Sequence, residues 1–258
     1  MNVFMSYWSI KEDSTFIYNC NSLSLYLAKK HYGNVHLVTD TNGKNALKSL
    51  PFSSVITTLD SLIPNKFWAL GKIHTYKYAA SLKKRFFHLD SDLFLWEKLP
   101  NDIENSDVFF EEEEKSIMFN NQYLHIIPFL EKFPKFNVLS DKIYNNKAST
   151  MCIVGGENFS FFEKYCNEVI NISTNPLYYS FFEQYPELLS YSTVLEQFVF
   201  WSMLKKNKIN YQSIYNSTDN TSLMKYTHLG SAKSEKDIQK DIQDRVLSRC
   251  IEFNIPYK

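Results

Sequence analysis

The residues with the clearest capacity for chemistry are two aspartates, Asp90 and Asp92, separated by the small Ser91. Residues two apart on an extended chain point to the same side, so the sequence predicts that the two carboxylates lie together. A divalent cation would relieve their mutual repulsion, and carboxylate oxygens suit Mg²⁺ and Mn²⁺. A solvated surface turn is the plain alternative. The apolar runs at 86–89 and 93–96 favour the metal site, because acids between apolar strands need a partner.

A second polar segment, His228-Leu229-Gly230 followed by Lys233, lies near the other end of the chain. His228 is predicted to end a short strand at 225–229, and it can bind a metal if its other ring nitrogen is held by a neighbour. Gly230 permits close backbone approach to a ligand. Lys233 precedes a predicted helix whose N-terminal amides favour an anion, and it adds a positive charge. The alternative is a loop histidine and a lysine at a helix start.

The first third of the chain alternates strand and helix patterns. Such alternation predicts an α/β fold with a mostly parallel central sheet flanked by helices. Ligands bind at the carboxyl ends of the strands in such sheets, where Tyr7, Trp8, Asp40 and Asp90 are predicted to lie. The predicted elements are a strand at 2–8, a helix from Asp13 or Ser14 to Lys30 that stops at Gly33, a strand at 35–39, a helix at 42–50, a strand at 54–59, a helix at 67–82 and a strand at 86–89.

The second half has a less regular pattern. We find no internal repeat and no linker, so a single domain over residues 1–258 is predicted. The acidic run 111–114 is predicted to be a solvated strand end. The remaining predicted elements are strands at 108–110, 116–119, 150–154, 209–214 and 225–229, and helices at 122–132, 159–172, 193–206 and 235–253.

The composition excludes several classes of protein. Hydrophobic residues make up 44% of the 258 residues, which excludes a disordered chain. With 28 basic and 28 acidic residues, the chain gives no support for nonspecific nucleic-acid binding. The four cysteines are scattered and are predicted to be reduced, buried thiols. Without a predicted signal peptide or membrane span, we expect a cytoplasmic protein.

The Asp-x-Asp that follows this β-α-β-α-β opening and a further helix resembles the motif of the GT-A (Rossmann-like) glycosyltransferases. Within them the chain is similar to the glycogenin and bacterial lipopolysaccharide galactosyltransferase group. That group also has a C-terminal His-x-x-Gly-x-x-Lys-Pro-Trp. This chain keeps His228, Gly230 and Lys233 in order, with one residue fewer between His and Gly, and has Ser234-Glu235 in place of Pro-Trp. It therefore resembles a divergent relative.

The resemblance implies a metal-dependent transfer of a sugar from a nucleotide diphosphate sugar, UDP-linked, to an acceptor hydroxyl with retention. The acceptor would be a glycan, a lipid-linked or another hydroxyl, as in surface polysaccharide or lipopolysaccharide assembly, and peripheral membrane association stays open. Residues 1–100 would form the nucleotide-binding half and 101–258 the acceptor half. Asp90, Asp92 and His228 would hold Mn²⁺ or Mg²⁺ on the diphosphate.

The resemblance also implies roles for residues outside the two motifs, each with a simpler alternative. Lys72 would neutralise the donor diphosphate with Lys233, or be a solvated helix lysine. Tyr7, expected to be more exposed than Trp8, would stack on the base, or be part of the core. Asp40 would accept from the base or ribose, or be a turn residue. Gly155 and Gly156 would lie against the sugar or acceptor, or be an ordinary turn. Glu196 and Gln197, predicted to be a buried polar pair, would lie near the anomeric carbon.

Three alternatives stay open. A phosphatase of the haloacid dehalogenase type also uses Asp-x-Asp, but after its first strand and with Thr or Val where this chain has Phe94. A non-catalytic module that binds a nucleotide sugar or a partner would explain the altered C-terminal motif. In an inverting enzyme a carboxylate base stands beside the acceptor, and Glu196 could be that base.

Overall fold

The structure is a computed structural model of the chain, and it falls into two compact units. The first unit is Met1–Ile63, Phe86–Pro100 and Thr221–Lys258, and the second is Pro64–Arg85 and Asn101–Asn220. The single domain over 1–258, with its halves 1–100 and 101–258, stays a prediction. The residues that the structure describes are 1–9, 14–62, 67–114, 147–176, 180, 191–215, 226–230 and 236–258.

Within its described residues, the first unit contains four parallel strands, a two-stranded ribbon and two long helices. Elements are numbered along the whole chain. Those of this unit are β1 (Asn2–Tyr7), α1 (Thr15–Tyr32), β2 (Val35–Thr39), α2 (Thr41–Ala46), β3 (Ser54–Ile56), a 3₁₀ turn (Thr58–Ser61), β4 (Phe86–Leu89), β5 (Leu93–Leu95), β9 (Tyr226–His228) and α7 (Lys236–Glu252).

The four parallel strands have the order β3-β2-β1-β4. β1 pairs with β2 from Val3↔Val35 to Tyr7↔Thr39, and with β4 from Asn2↔Phe86 to Met5↔Leu89. Most residues of β1, β2 and β4 are buried, as is typical of strands inside a parallel sheet. Because these strands run in one direction, their carboxyl ends meet at one edge, where the chain continues into Asp40 and Asp90.

Helix α1 connects the sheet to the two-stranded ribbon. Ser14 caps its first turn by accepting from the amide of Ile17, and the helix ends at Gly33, whose φ is 74°. Its buried face packs on β5 and α7. This apolar cluster fixes the segment that follows β4, and its buried members are Cys20, Leu23, Leu27, Phe94, Val246, Cys250 and Ile255.

The second unit contains three strands and four helices within its described residues. Strand β6 (Val108–Glu114) pairs antiparallel with β7 (Ala148–Gly156) and parallel with β8 (Gln212–Tyr215). At the centre of the core the Phe200 ring contacts those of Phe110, Phe161 and Tyr165. The elements are α3 (Leu70–Ser81), α4 (Asn101–Glu104), β6 (Val108–Glu114), β7 (Ala148–Gly156), α5 (Phe159–Thr174), β8 (Gln212–Tyr215), and α6, which comprises Tyr191–Thr193, a π-helical segment (Val194–Phe198) and Val199–Lys206.

The predicted fold class, an α/β chain with a mostly parallel sheet flanked by helices, is confirmed. No disulfide joins the four cysteines, all of which lie in the described ranges and are buried, as predicted. Burial raises the pKa of the Cys250 thiol to about 11, so it stays protonated at neutral pH. Among the described residues, no helix combines the length and the apolarity needed to span a membrane.

The acidic run 111–114 differs from the prediction of a solvated strand end. These residues continue β6, because β7 and β8 pair with the strand on both sides, and Glu111 is buried. Burial raises the pKa of Glu113, but hydrogen bonds from Tyr211 and Lys147 outweigh it, and the net pKa is lowered. Backbone pairing with β7 and β8 therefore keeps these acidic residues in the sheet, although their side chains favour water.

Several element boundaries also differ from the predicted ones. The helix predicted at 42–50 ends at Ala46, and the strand predicted at 54–59 ends at Ile56 before the 3₁₀ turn. The strand predicted at 209–214 is β8, Gln212–Tyr215. The predicted strand 116–119 and helix 122–132 lie outside the described residues.

Gly156 offers a test of how β7 ends. A Cβ at this position would lie 2.1 Å from the carbonyl oxygen of Asp107, whereas one at Gly33 meets nothing within 4 Å. Both glycines have positive φ, 139° and 74°. We expect Gly33→Ala to cost about 1 kcal/mol of unfolding free energy from backbone strain alone. Gly156→Ala should cost more than about 3 kcal/mol, because β6 and β7 must separate. Urea denaturation of both variants measures the difference, and equal losses would contradict this account.

Candidate metal centre

Asp90 and Asp92 lie in the tight connection between β4 and β5. The amide of Leu93 donates to the carbonyl oxygen of Asp90 at 3.1 Å, which closes the turn. The Ser24 hydroxyl on α1 donates to the same carbonyl at 3.3 Å. The backbone between the two strands is therefore held from both sides, and the two carboxylates are left to point away from it.

His228 reaches the aspartates through strand pairing. β9 pairs antiparallel with β5, with His228 opposite Leu93. The amide of Leu229 then donates to the carbonyl oxygen of Asp92 at 3.1 Å. The Trp96 indole adds a hydrogen bond of 2.8 Å to the Thr227 hydroxyl. These contacts place the C-terminal motif beside the Asp-x-Asp motif.

The three predicted metal ligands converge within the first unit. One ligand atom from each of Asp90, Asp92 and His228 lies within 4.8 Å of the other two. His228 Nε2 lies 4.0 Å from Asp92 Oδ2. The Asp92 side chain is 9% exposed and that of His228 27%, so the group opens to solvent on the histidine side.

The chemistry of this group fits a divalent metal ion. Two carboxylates and one imidazole are a mixed oxygen and nitrogen set that suits Mn²⁺ and accepts Mg²⁺. The two acids carry two negative charges in a partly buried place, and a divalent cation offsets that cost. Ser91 between them is partly exposed. Gly230 has a φ of 50° and passes beside the His228 ring, and Lys233 lies outside the described residues.

Tyr7 and Asp40 lie at the same edge of the first-unit sheet, but both are engaged there. Tyr7 is 8% exposed whereas Trp8 is partly exposed, so the expectation that Tyr7 is the more exposed of the two is wrong. The reason is Gly43, which lets the Tyr7 ring pack closely against the α2 backbone. Asp40 caps α2 by accepting from the Gly43 amide at 2.7 Å, and its other oxygen accepts from Ser9. Its contact with a base or ribose stays a prediction.

In the second unit, Lys72 and Glu196 form a buried ion pair. Lys72 lies in the first turn of α3, and its Nζ is 3.0 Å from Glu196 Oε1. Tyr76, one helical turn further along, donates to the same oxygen at 3.1 Å. Glu196 is fully buried, and its Oε2 has no hydrogen-bond partner among the described residues. In the structure, Lys72 therefore pairs with the carboxylate of Glu196. Its role at a diphosphate stays a prediction.

Glu196 belongs to the π-helical segment of α6. Such segments are rare and occur frequently at functional sites, because the extra residue per turn displaces side chains from their helical positions. The Tyr165 hydroxyl donates to the backbone oxygen of Glu196 at 2.7 Å. Burial, with the nearby Glu196 charge, raises the pKa of Tyr165 well above its usual value, so Tyr165 stays a donor. The sequence analysis missed both tyrosines. The spacing of Lys72 and Tyr76 at i and i+4 could have indicated Tyr76.

The remaining predicted site residues lie in the same unit. Gly155 pairs with Phe109 across β7 and β6, and Gly156 is required by the close Asp107 carbonyl. The backbone oxygen of Gln197 accepts from the Ser149 hydroxyl at 3.1 Å. Strand pairing therefore accounts for Gly156 without a ligand. The predicted contacts of both glycines and of Gln197 with a sugar or acceptor stay predictions.

The ion pair between Lys72 and Glu196 can be tested by a double-mutant cycle. We expect Lys72→Met to destabilise the fold by about 3 kcal/mol, because it leaves a buried carboxylate without its counter-charge. In combination with Glu196→Gln the loss should be smaller than the sum, with a coupling of at least about 1.5 kcal/mol. The exposed pair Lys83 and Glu163 is the matched control, since both of its side chains are at least 40% exposed. Its coupling should stay below about 1 kcal/mol. Equal coupling in the two cycles would contradict the burial argument.

Comparisons with known proteins place the chain in a family. No curated protein matches it. A solved structure to which it is similar is that of mouse xyloside xylosyltransferase 1 in its apo form, at 12% identity and a TM-score of 0.40, covering 83% of this chain and 85% of that one. The model of a family described as a family of unknown function, DUF6734, matches residues 8–252, and the chain therefore belongs to that family.

Proposed function

We propose that this chain is a metal-dependent glycosyltransferase that moves a sugar from a UDP-linked donor to an acceptor hydroxyl, with retention of configuration. The observation that carries the proposal is the convergence of Asp90, Asp92 and His228. The two motifs lie far apart in the sequence, and the sequence resemblance assigns both to a single diphosphate-binding metal centre. Their meeting within one unit supports that assignment.

Asp90, Asp92 and His228 would hold Mn²⁺ or Mg²⁺. The ion, when bound, supplies a Lewis acid for the oxygens of the donor diphosphate. Asp92 and His228 are fixed through the β5–β9 pair, so two of the ligands depend on the same backbone contacts. Gly230 permits a close approach of the backbone beside the His228 ring. Lys233 would add a positive charge on the leaving diphosphate.

Glu196 is proposed to act near the anomeric carbon, with Gln197 beside it. Its Oε1 accepts from Lys72 and Tyr76, and its buried Oε2 would act on developing positive charge through space. The transition state of glycosyl transfer is oxocarbenium-like, so a fixed carboxylate stabilises it electrostatically. For an inverting reaction the same oxygen would serve as the base.

Five further residues have proposed roles in binding the donor or the acceptor. Tyr7 and Asp40 would line the base and ribose at the carboxyl edge of the first-unit sheet, where the pyrophosphate of a nucleotide is commonly bound. Ser91 leaves room between the two aspartates. Gly155 and Gly156 would let the sugar or the acceptor lie against the backbone.

Metal-dependent donor binding tests the site directly. In a thermal-shift measurement with Mn²⁺, we expect one of a set of UDP-sugars, at about 100 times its Kd, to stabilise the chain by about 2.7 kcal/mol. This corresponds to a rise in Tm of about 5–10 °C for a chain of this size. EDTA or Asp92→Asn should abolish the shift, because either removes part of the metal centre. Asp241→Asn, on the exposed face of α7, is the control and should keep it.

Two other results would change the conclusion. A Mn²⁺-dependent shift that survives Asp92→Asn would overturn the assignment of the site. A shift without release of UDP from any donor, in the presence or absence of an acceptor, would favour the non-catalytic binding module. UDP release is measured by a coupled assay on the same samples.

Glu196→Gln separates chemistry from metal binding. The substitution keeps the shape of the side chain but removes its charge, so we expect kcat for UDP release to fall by about 100-fold. The Mn²⁺ affinity should stay within about 2-fold, because Glu196 is not among the proposed metal ligands. A variant with unchanged kcat would contradict the proposed role of Glu196.

A further inference from the structure

His88 is a buried polar residue that has no role in the proposed function. It lies in β4, two residues before Asp90, between apolar neighbours, and it is 1% exposed. A buried imidazole is costly unless both ring nitrogens have partners. The partners of His88 therefore indicate why a histidine occupies this position in an otherwise apolar strand.

The two ring nitrogens of His88 face different groups. Its Nε2 lies 2.9 Å from the Ser6 hydroxyl on the neighbouring strand β1. Its Nδ1 lies 3.7 Å from Asp90 Oδ1, which is an electrostatic contact and not a hydrogen bond. The parallel register of β1 and β4 sets this arrangement, because Phe4 pairs with His88 and Ser6 lies beyond it toward the carboxyl end. The imidazole therefore bridges the sheet and the first aspartate of the metal centre.

These contacts favour one tautomer. A proton on Nδ1 points toward the Asp90 carboxylate, which can only accept when ionised. Nε2 is then the acceptor, and the Ser6 hydroxyl donates to it. Histidines and carboxylates near metal ions are commonly fixed by such partners, which set the orientation of the ligating group.

The backbone of Asp90 is already held, but its carboxylate needs a separate constraint. The carbonyl oxygen of Asp90 accepts from Ser24 and Leu93, so the position of its Cα is set. Rotation about the side-chain bonds still decides where the two carboxylate oxygens lie. Attraction between a proton on His88 Nδ1 and Asp90 Oδ1 would restrict that rotation and leave Oδ2 for a metal ion.

We propose that Ser6 and His88 form a positioning pair that holds the Asp90 carboxylate in its metal-binding orientation. His88 acts through Asp90 and does not touch the ion. The inference rests on the proposed function only in that Asp90 is a ligand of Mn²⁺ or Mg²⁺. It assigns a role to a strand residue outside both motifs.

Two isosteric variants of His88 test the proposal. The amide nitrogen of Asn reaches the place of Nδ1, whereas that of Gln reaches the place of Nε2. We expect His88→Gln and His88→Leu to weaken Mn²⁺ binding by about 10–100-fold, and His88→Asn to stay within about 3-fold of the original chain. Ser6→Ala should weaken binding by less than His88→Leu, because the imidazole keeps its contact with Asp90.

A matched control lies on the neighbouring strand. His36 in β2 also faces a serine, with Nδ1 2.8 Å from the Ser54 hydroxyl, and it pairs with Phe4 from the other side. His36→Leu should leave the Mn²⁺ affinity unchanged. The affinity is measured on the full chain from the electron paramagnetic resonance signal of free Mn²⁺, and circular dichroism checks that each variant is folded.

Each result has a defined meaning. Equal Mn²⁺ affinity of the original chain, His88→Leu and His88→Gln would overturn the positioning pair while leaving the metal centre intact. An equal loss in His36→Leu and His88→Leu would also overturn it, since the effect would then be general. An original chain that binds no Mn²⁺ would overturn the metal centre and the proposal with it. If His88→Leu does not fold, the contrast between His88→Asn and Ser6→Ala decides: full affinity in Ser6→Ala with a loss in His88→Asn would refute the pair.

Discussion

Two carboxylates that lie side by side at the border of an apolar core repel each other, and the backbone contacts of the first unit hold them together despite that repulsion. Asp90 and Asp92 cannot move apart, because Ser24, Leu93 and Leu229 hold the backbone on either side of them. They cannot move fully into water, because β4 and β5 are buried. What remains is compensation by neighbours, and the proposed divalent cation would supply it.

In the second unit, the carboxylate of Glu196 pairs with an ammonium and not with a second carboxylate. Glu196 is fully buried, and its compensation comes from the protein itself, through the Lys72 ammonium and the Tyr76 hydroxyl. The π-helical segment places this carboxylate by a local departure from the α-helix. A carboxylate held on one oxygen by an ammonium and a hydroxyl has a fixed position, and a fixed position is what electrostatic stabilisation of a transition state requires. The carboxylates of Asp90 and Asp92 are therefore held by backbone contacts, and that of Glu196 is held by an ion pair and a hydrogen bond.

The sequence predicted the parts of the fold that depend on short-range patterns. The short apolar runs and the helix boundaries at Ser14 and Gly33 were sufficient for the first strands and α1, and the Asp-x-Asp spacing was sufficient to place the two carboxylates close together. His228 could be predicted only because the resemblance joined two distant motifs. The partner of Lys72 could not be predicted, because Glu196 is 124 positions away and only tertiary packing brings them together. Tyr7 was assigned the wrong exposure for a similar reason, since Gly43 and not the strand period decides its packing.

The pairing of β9 with β5 joins segments that are far apart along the chain, since Trp96 and Thr227 are 131 positions apart. Closing so long a loop is slow, and it comes after the local helices and strands have formed. During synthesis Asp90 and Asp92 therefore exist for many seconds without His228 beside them. If the proposed ion needs all three ligands, it would be retained only once β9 has docked. Metal binding would then report the completion of folding, and a chain that misfolds in its later residues would carry no metal.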